Sequence, residues 1–380
     1  MLGVEGNVAR VQRANVSAAF PPYNAMTILY RHIGLSLLRG YFPVFLILLA
    51  VFSLIVFVDE IDEVGKGQYT FWGAIEFLVL TMPSRVVFLA PFIALLGSIM
   101  ALGGLANGRE LIAMQASGIS PYQIAAAVMK YGFVFIVGVA IMEQFVTPPL
   151  EQRAFFDRSL ALSESKTFQS QQGFWFKDGR RYVRIQNMLY GTIPQGIDIF
   201  EFHDDGRMVR YLHAREANMD NPQKWVLKQV KKKIIHGQAF SKEYVEEMEW
   251  DSPLKQREMR LLTLPTSSLS PSDLYRYVKV LERKGQNAVR YELAFWEKVF
   301  RPLNAGLMIL VAIPFAFGPF RAATTGKRIL MGTITGLGYY LIAKVLEQVG
   351  VMMGLPPVWT MIAPFVSLLG VTILFWRQFL

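Results

Sequence analysis

The stretch YFPVFLILLAVFSLIVFV, residues 41–58, contains no charged side chain over eighteen residues. An α-helix of that length rises about 27 Å, close to the roughly 30 Å hydrocarbon core of a bilayer. The run is too long for the apolar part of a cleavable signal peptide, and a segment of mixed composition, residues 1–40, precedes it. It therefore predicts a first membrane span.

Five further apolar runs predict five more spans, which we number two to six: residues 86–106, 121–142, 302–320, 329–350 and 355–376. A weaker apolar stretch, residues 71–82, contains Glu76 and predicts an interfacial helix or an extension of span two. The composition agrees, because 53% of the 380 residues are hydrophobic and only 18% are charged, against about 25% in soluble domains. The chain is predicted to be an integral membrane protein.

The net charge of +10 does not indicate a nucleic-acid partner. In so apolar a chain, basic residues more often mark cytoplasmic loops and contacts with anionic lipid headgroups. No basic stripe with interleaved aromatic side chains is present. The chain has no cysteine, which excludes disulfides, cysteine-based zinc sites and thiol nucleophiles.

The distribution of Lys and Arg in short loops predicts that both termini are cytoplasmic. The basic residues that fall on one side are Arg10, Arg13, Arg31, Arg39, Arg109, Arg321, Lys327, Arg328 and Arg377. The loop after span one, DEIDEVGKG, is acidic apart from Lys66. The long polar region between spans three and four is therefore predicted to lie in the periplasm.

That polar region has the pattern of an antiparallel β-domain. Asp178-Gly179 separates the runs GFWFK and RYVRIQNM, and Asp205-Gly206 separates IDIFEF from MVRYLHAREA. Asn221-Pro222 marks a further turn before KWVLKQV. An Asp-Gly pair between aromatic and β-branched runs is a strong hairpin signal, because glycine readily takes the positive φ that tight turns need.

Alternation within the runs predicts which side chains share a face of the sheet. Val183 and Ile185 point the same way. In IDIFEF both faces are apolar, since Ile197 and Ile199 lie on one side and the Phe200–Phe202 pair on the other. This pattern fits an ordinary sandwich core, which the residues alone favour, or a strand that lines an apolar groove.

These features divide the chain into four parts. They are an N-terminal cytoplasmic segment, residues 1–40; spans one to three, residues 41–145; the β-domain, residues 150–268; and a connecting helix with spans four to six, residues 270–380. The connecting helix has Ser270 as a plausible N-cap and Pro271 at its first position.

Motifs for catalysis are absent from the sequence. ATTGKR, residues 323–328, has Arg321 where a P-loop needs its first glycine. The histidines form no HExxH, and no serine lies in GxSxG. We therefore expect no catalytic residue, no metal site and no ATPase motif, so any work done by the protein needs energy from another chain.

The segment NGRELIAMQASGIS, residues 107–120, predicts a short cytoplasmic helix between spans two and three. Asn107 is a candidate N-cap with Glu110 in the capping-box position, and Gly118 fits the left-handed residue that ends a helix. Ser120 and Pro121 then fit the N-cap and first position of span three.

Two interpretations of this helix, residues 107–118, stay open on the residues alone. In the first interpretation, Glu110 only complements the helix dipole, an interaction that contributes about 0.3–1 kcal/mol. In the second, Glu110, Leu111 and Met114 fit into a cleft of another protein that transmits motion to the membrane domain. The lack of a P-loop and the division into three spans, an insert and three spans favour the second.

NGRELIAMQASGIS, followed by a span and then by QQGFWFKDGRRYVRI, resembles the LptF/LptG family of lipopolysaccharide-export permeases. FWEKVFRPLNAGLMILVAIPFAFGPFR and GLPPVW are similar to it as well, and the LptG branch is the better match, from about residue 26 to the end. The resemblance implies an α-helical integral membrane protein with six transmembrane helices and a periplasmic antiparallel β-jellyroll inserted between spans three and four.

The resemblance also implies a function and its partners. The chain would be a permease subunit of an ABC transporter that extracts lipopolysaccharide from the bacterial inner membrane and passes it to a periplasmic bridge. The implied partners are an LptB-like ATPase dimer that binds ATP and Mg²⁺, an LptF-like second permease, an LptC-like single-span protein and an LptA-like periplasmic bridge. The chain itself would hold no cofactor.

Family motifs carry candidate roles over to residues of this chain. The segment 107–118 corresponds to the coupling helix, with the ATPase-contact candidates Arg109, Glu110, Leu111, Met114 and Gln115. The candidates for the jellyroll groove are Phe174, Phe176, Phe200 and Phe202. The resemblance favours a groove over an ordinary sandwich core as the interpretation of IDIFEF, the strand that is apolar on both faces.

The sequence departs from the family where some members carry lysines thought to meet lipid phosphates. Val56, Asp62 and Glu63 occupy those positions here, so that contact does not carry over. The remaining candidates for the lipid headgroup are Lys66, Arg85, Lys298 and Arg301. Arg301 has an alternative partner, since Glu297 lies four residues earlier on the same helix.

Charged and small residues inside the spans suggest further contacts. Lys344 and Glu347 in span five are predicted to face a cavity or a partner rather than lipid, because a charge at the bilayer centre is costly. Glycines of spans two and five would allow close helix packing, within the chain or at a seam with a second permease: Gly97, Gly103, Gly104, Gly332 and Gly336.

One alternative function from another class uses the same coupling helix. The chain would then be a non-transporting mechanical anchor or signalling subunit coupled to an ATPase. An openable apolar groove in residues 170–250 favours transport, and a closed sandwich core favours the anchor. An intramembrane enzyme would need catalytic groups that converge in the membrane, and the sequence offers none.

Overall fold

The computed structural model describes residues 23–162, 174–178, 180–189, 193–203, 205–218, 224–236, 239–251, 265–283, 286–317 and 324–379. Its α-helices are α1 (Tyr23–Ile61), α2 (Phe71–Leu80), α3 (Met82–Asn107), α4 (Glu110–Ala116), α5 (Pro121–Ile141), α6 (Thr147–Leu162), α7 (Pro271–Arg283), α8 (Val289–Ala312), α9 (Pro314–Phe317), α10 (Thr325–Met352) and α11 (Pro357–Phe379). A π-helical turn (Met142–Val146) joins α5 to α6, and a 3₁₀ turn (Thr266–Ser268) precedes α7.

Six helical stretches in the described part of the chain are long and apolar enough to cross a membrane, which confirms the predicted number. They are Ile28–Ile61, Met82–Asn107, Pro121–Leu162, Val289–Phe317, Thr325–Met352 and Pro357–Arg377. The second and fourth lie at the centre of the bundle, with 72% and 67% of their apolar windows buried, against 11% for the first and fifth. The outer helices therefore leave wide apolar faces uncovered by this chain.

The third stretch is longer than the sequence predicts. It continues without a break through the π-helical turn into α6 and ends at Leu162. The predicted start of the β-domain at residue 150 is therefore wrong, because residues 150–162 are helical. Pro148 and Pro149 lie in the first turn of α6, directly after the π-helical turn.

The weak apolar stretch before span two is a separate short helix. The Thr81 hydroxyl donates a 2.6 Å hydrogen bond to the Phe77 carbonyl as α2 ends, and α3 begins at Met82 with Pro83 in its first turn. The alternative of a simple extension of span two is therefore wrong. Ser270 and Pro271 do start the connecting helix α7, since the Ser270 hydroxyl accepts from the Asp273 N–H at 3.1 Å.

The polar insert contains a six-stranded antiparallel sheet in the order β1-β2-β3-β4-β5-β6. The strands are β1 (Phe174–Asp178), β2 (Arg181–Leu189), β3 (Ile193–Phe202), β4 (Met208–Asn218), β5 (Lys224–His236) and β6 (Ala239–Asp251). Asp178 pairs with Arg181, and Gly206 has φ +81°, so both Asp-Gly hairpins are confirmed. Gly179, Asn221 and Pro222 lie outside the described residues. Each described strand pairs with its sequence neighbours, and a jellyroll remains a prediction.

One face of the sheet forms a closed apolar core, which we call the inner face. Its fully buried members include the predicted pairs Val183 with Ile185 and Ile197 with Ile199. Leu212, Ala214, Ala217, Trp225, Leu227, Val230 and Trp250 complete the cluster. The predicted assignment of these aliphatic residues to one face is therefore correct.

Three glycines of spans two and five lie at close helix contacts within the chain. A Cβ on Gly97 would lie 2.9 Å from the Tyr41 Cα of α1. A Cβ on Gly332 or Gly336 would lie 2.4 Å from Ile99 or 3.0 Å from Leu95, both side chains of α3. These three glycines therefore serve intramolecular helix packing. Gly104, by contrast, has no heavy atom within 4 Å of its would-be Cβ.

Candidate functional site: the coupling helix and its surroundings

The short helix α4 exists, but it begins later than the sequence predicts. Its N-cap is Arg109, which has φ 59° and makes no side-chain capping bond, so the predicted cap at Asn107 is wrong. Asn107 instead ends α3, and its amide is engaged by Thr325 and Arg328 of α10. The capping box with Glu110 is lost because the chain turns between the two residues rather than continuing as one helix.

The end of α4 and the start of α5 follow the sequence prediction. Gly118 has φ +87°, a conformation that L side chains rarely adopt. The Ser120 hydroxyl accepts from the Gln123 N–H at 3.3 Å, and the Gln123 side chain accepts from the Ser120 N–H at 2.9 Å. This capping box, with Pro121 in the first turn, fixes where α5 begins.

The structure separates the five predicted contact residues into an outward and an inward set. Arg109 and Glu110 are exposed. Leu111 is 2% exposed and belongs to the core of the bundle, against which the half-buried Met114 also packs. Gln115 is half-buried. In this conformation Leu111 and Met114 therefore anchor α4 to the bundle and do not point outward.

Sequence reasoning missed Ile112, which is exposed beside Glu110. The signal was present: Leu111 and Met114 lie three apart on one face, which a surface helix normally turns toward its own core. Ile112 lies off that face. An exposed acid next to an exposed aliphatic side chain gives α4 a small outward surface of mixed character.

Glu110 has an intramolecular partner on the first helix. Its Oε2 atom lies 2.5 Å from Nε2 of His32, and both side chains are 45% exposed. His32 lies on α1, at the end of the bundle that carries α4. The carboxylate is thus held in place from one side while the rest of it remains accessible.

An arginine clamp joins the end of α3 to the start of α10 beside α4; we define it as Gly103, Asn107, Thr325 and Arg328. The Arg328 guanidinium is 1% exposed and donates to the Gly103 carbonyl at 2.9 Å and to Asn107 Oδ1 at 3.1 Å. The Asn107 amide donates to the Thr325 hydroxyl at 3.0 Å. The clamp ties α10 to the base of α4.

A buried ion cluster joins the third helical stretch to the fourth. Glu143, in the π-helical turn, is 2% exposed; its carboxylate lies 2.5 Å from Lys298 Nζ and 3.0 Å from Arg301 Nη1. Arg301 also meets Glu297 at 3.5 Å, as the i,i+4 spacing predicted. Lys298 is 4% exposed, so this headgroup candidate is occupied inside the bundle.

The other two headgroup candidates differ in accessibility. Arg85 is buried and donates to the Ser53 hydroxyl at 2.8 Å and to the Leu78 carbonyl at 2.8 Å, which fixes the end of α2. Lys66 is about half-exposed and pairs with Glu63 at 2.9 Å. Of the four candidates, Lys66 is the most accessible in this conformation, and lipid contact by each of them stays a prediction.

The charges predicted in span five are paired within the chain. Lys344 lies 2.8 Å from Glu347 and 3.3 Å from Glu297 of α8. The ammonium is partly exposed. Pairing with acids on the same and on the neighbouring helix makes these charges tolerable at this position.

The four groove candidates do not lie on one face. Phe174 and Phe176 pair with Ile185 and Val183, which are positions of the inner face, and their side chains lie outside the described part. Phe200 and Phe202 occupy positions of the opposite face, which we call the outer face. By register, the four residues therefore do not form one row along a groove.

A buried carboxylate organises the outer face. Asp198 Oδ1 accepts from the Tyr211 hydroxyl at 2.8 Å and lies 2.7 Å from His213 Nδ1, and its Oδ2 accepts from Gln186 at 3.2 Å. Burial raises the pKa of the Asp198 carboxyl, but the bonds from His213, Tyr211 and Gln186 outweigh it and hold that pKa below its usual range. Burial and the same carboxylate raise the pKa of Tyr211 to about 12.

Replacing Asp198 by asparagine should therefore destabilise the protein most at neutral pH. Because the folded-state pKa is lowered, the carboxylate stabilises the fold above its unfolded pKa of about 4 and loses that contribution as the pH falls through the folded value. We expect Asp198→Asn to have a lower melting temperature than wild type at pH 7. The difference between the two melting temperatures should become smaller toward pH 3.5. Asp205→Asn, at an exposed hairpin acid, is the control; a gap that widens in acid would contradict the assignment.

Comparison with known proteins agrees with these features. The family model described as lipopolysaccharide export system permease LptF/LptG matches residues 31–378. The lipopolysaccharide export system permease protein LptG of Haemophilus influenzae is 34% identical over 348 residues, 91% of this chain and 96% of that protein. The protein of the same name from Escherichia coli K12 is 31% identical over 342 residues, 90% and 95% of the two chains. The chain therefore belongs to the LptF/LptG family of lipopolysaccharide export permeases.

Proposed function

We propose that the chain is a permease subunit of an ABC transporter that extracts lipopolysaccharide from the inner membrane, driven by a separate ATPase. The single observation that carries the proposal is the accessible Glu110 carboxylate on α4, between two membrane-spanning helices. Leu111 fastens α4 to the bundle core, and the arginine clamp fastens its base to α10. A push on α4 would thus be passed to the membrane helices.

The proposed motor is an LptB-like ATPase dimer, which would hold ATP and Mg²⁺ because this sequence has no P-loop. Arg109, Glu110 and Ile112 form the outward surface that would meet it. Leu111, Met114 and Gln115 keep a supporting role in this proposal, because they face or border the bundle. Anchoring from within makes α4 a stiff contact rather than a loose loop.

The proposed second permease is LptF-like and would pack along the exposed apolar faces of α1 and α10. Leu54 and Val58 of α1 and Leu341 and Val345 of α10 are exposed in this chain alone. Lipid would occupy the space between the two permeases. Its anionic headgroup would meet basic residues near the far end of the bundle, with Lys66 the best placed of the four candidates.

In the proposed topology both termini are cytoplasmic and the sheet lies in the periplasm. Support comes from the basic residues around α4 and α10, and from the acidic loop at the opposite end of α1. The sheet would form part of a jellyroll that passes the lipid to an LptC-like single-span protein and an LptA-like bridge. A groove for acyl chains would require opening the inner face, which is closed in this conformation.

Purification in mild detergent from the native host tests the coupling role. Wild type should bring down an ATPase and a second six-span permease, and Glu110→Lys should lose at least about nine-tenths of the ATPase while it retains the permease. Charge reversal both removes the acid and places a cation in the contact. Ser117→Lys is the matched control, since Ser117 is an exposed residue just after the same helix.

A lipid-release assay separates transport from anchoring. Wild-type complex in proteoliposomes should release lipopolysaccharide to an acceptor on addition of ATP, and the Glu110→Lys complex should not. If the wild-type chain purified from its host with no bound ATPase, the coupling role would be overturned. An ATPase that binds and hydrolyses ATP without any lipid release would favour the mechanical anchor instead.

A further inference from the structure

The outer face of the sheet carries a row of aromatic rings. Trp175 stacks on Phe200, with ring centroids 5.9 Å apart and planes 15° from parallel. Phe200 in turn contacts Tyr211 at 5.1 Å. Trp175 is 55% exposed although an apolar core lies on the opposite side of the same strands. Rings from the three strands β1, β3 and β4 thus form one aromatic row on this face.

Cations flank this aromatic row without matching acids. The Arg184 guanidinium lies 5.6 Å from the Trp175 ring centre, and Lys233 Nζ lies 5.6 Å from that of Tyr211. Lys231, two residues before Lys233 on β5, is exposed. In the described part of the chain these three side chains make no ion pair, and the buried Nε of Arg184 has no hydrogen-bond partner.

Among the described residues, Asp198 is the one carboxylate within this row, and it has hydrogen-bond partners of its own. Asp198 accepts hydrogen bonds from Tyr211 and Gln186 and lies against His213, and its single negative charge is outnumbered by the three cations Arg184, Lys231 and Lys233. The face is therefore aromatic, net positive and bordered by hydrogen-bonding groups. An acyl chain would make no favourable contact with the cations. A ligand with flat apolar faces and negative charge would contact both the aromatic rings and the cations.

We propose that the outer face, centred on Trp175, Arg184, Phe200, Tyr211 and Lys233, binds the anionic saccharide of the exported lipid. Sugar rings present C–H faces that pack on aromatic rings, and phosphate or carboxylate groups on the sugar pair with guanidinium and ammonium groups. The identity of the lipid rests on the proposed function; the saccharide chemistry rests on this face. The sheet would then hold the sugar outside while acyl chains are handled elsewhere.

The test uses the full-length protein in detergent and a probe that lacks acyl chains: deacylated, phosphorylated oligosaccharide prepared from the host's lipopolysaccharide. Calorimetric titration should detect binding to wild type, and Trp175→Ala or Lys233→Gln should weaken it by about tenfold, as loss of one good contact implies. Trp72→Ala is the matched control, because Trp72 is also an exposed tryptophan, 76% against 55% for Trp175, but belongs to α2 and not to the sheet. Enzymatic dephosphorylation of the probe should weaken binding to wild type as well.

Three results would overturn the proposal. They are no binding to wild type, equal binding to Trp175→Ala, and a photo-crosslinker at position 175 that captures a protein instead of saccharide in cells. These results are independent of the coupling experiment. If Glu110→Lys loses the ATPase while the saccharide fails to bind to wild type, the proposed function stands and this inference is wrong. Circular dichroism of each variant checks that the sheet is intact.

Discussion

Replacing Glu143 by glutamine is expected to lower the free energy of unfolding by about 3–5 kcal/mol, the usual cost of removing one partner from a buried ion pair. The substitution leaves the ammonium of Lys298, 4% exposed, and the guanidinium of Arg301 without their shared carboxylate. Thermal and denaturant unfolding of the purified protein in detergent would measure it. The effect should exceed that of any single surface ion pair.

Two companion variants make this prediction decisive. Glu63→Gln removes the partner of the half-exposed Lys66 and should change stability little, because exposed pairs contribute little. Glu143→Gln combined with Lys298→Met should recover part of the loss, since the unpaired buried charge is removed with its partner. If Glu143→Gln melted like Glu63→Gln, the cluster would not be a buried ion pair in the membrane protein.

The second large effect concerns the contact between α1 and α3. A Cβ on Gly40 would lie 2.4 Å from the Gly97 carbonyl oxygen and 2.8 Å from the Ala101 Cβ, so backbone must move to admit it. We expect Gly40→Ala to cost about 1–3 kcal/mol through overpacking. Melting temperature in detergent and the yield of folded protein are the measurements.

Gly104→Ala is the matched control for Gly40→Ala. Both substitutions gain the same helix propensity, about 1 kcal/mol, but the Cβ at 104 meets no heavy atom within 4 Å. Gly104→Ala should therefore leave stability unchanged or raise it. Equal behaviour of the two variants would mean that α1 and α3 do not approach each other as closely as described.

The membrane part of the fold was predictable because one physical requirement dominates it. A span must be about twenty apolar residues long, and all six such runs became helices. The helical extension to Leu162 was not predictable in this way, because residues 147–162 are polar and a polar helix resembles a loop in hydropathy.

The sheet shows the same division between pattern and packing. Alternation placed Val183, Ile185, Ile197 and Ile199 correctly on one face, since a strand has a fixed period of two. Alternation does not say which of two apolar faces is closed. The register of β1 and β3 assigns Phe174 and Phe176 to positions of the inner face, and Phe200 and Phe202 to positions of the outer face.

The candidate site was predictable in position but not in orientation. Turn chemistry at Gly118 and Ser120 located the end of α4, because these signals are local. The partners of Asn107, Arg328 and Glu143 lie more than 150 residues away along the chain. Such pairings depend on tertiary packing, and a single sequence carries no local signal of them.

The arginine clamp has a consequence for the surroundings of the protein. Since Arg328 fixes the first turn of α10 to the end of α3, α10 cannot slide along its axis independently at that end, and it is left to tilt or bend farther along. Only 11% of the apolar window of α10 is buried, so such a tilt would press on whatever borders its exposed side as well as on α3 and α11, which pack against it. A small displacement at α4 would thus be converted into lateral pressure on neighbouring lipid or protein, greatest at the end far from the clamp.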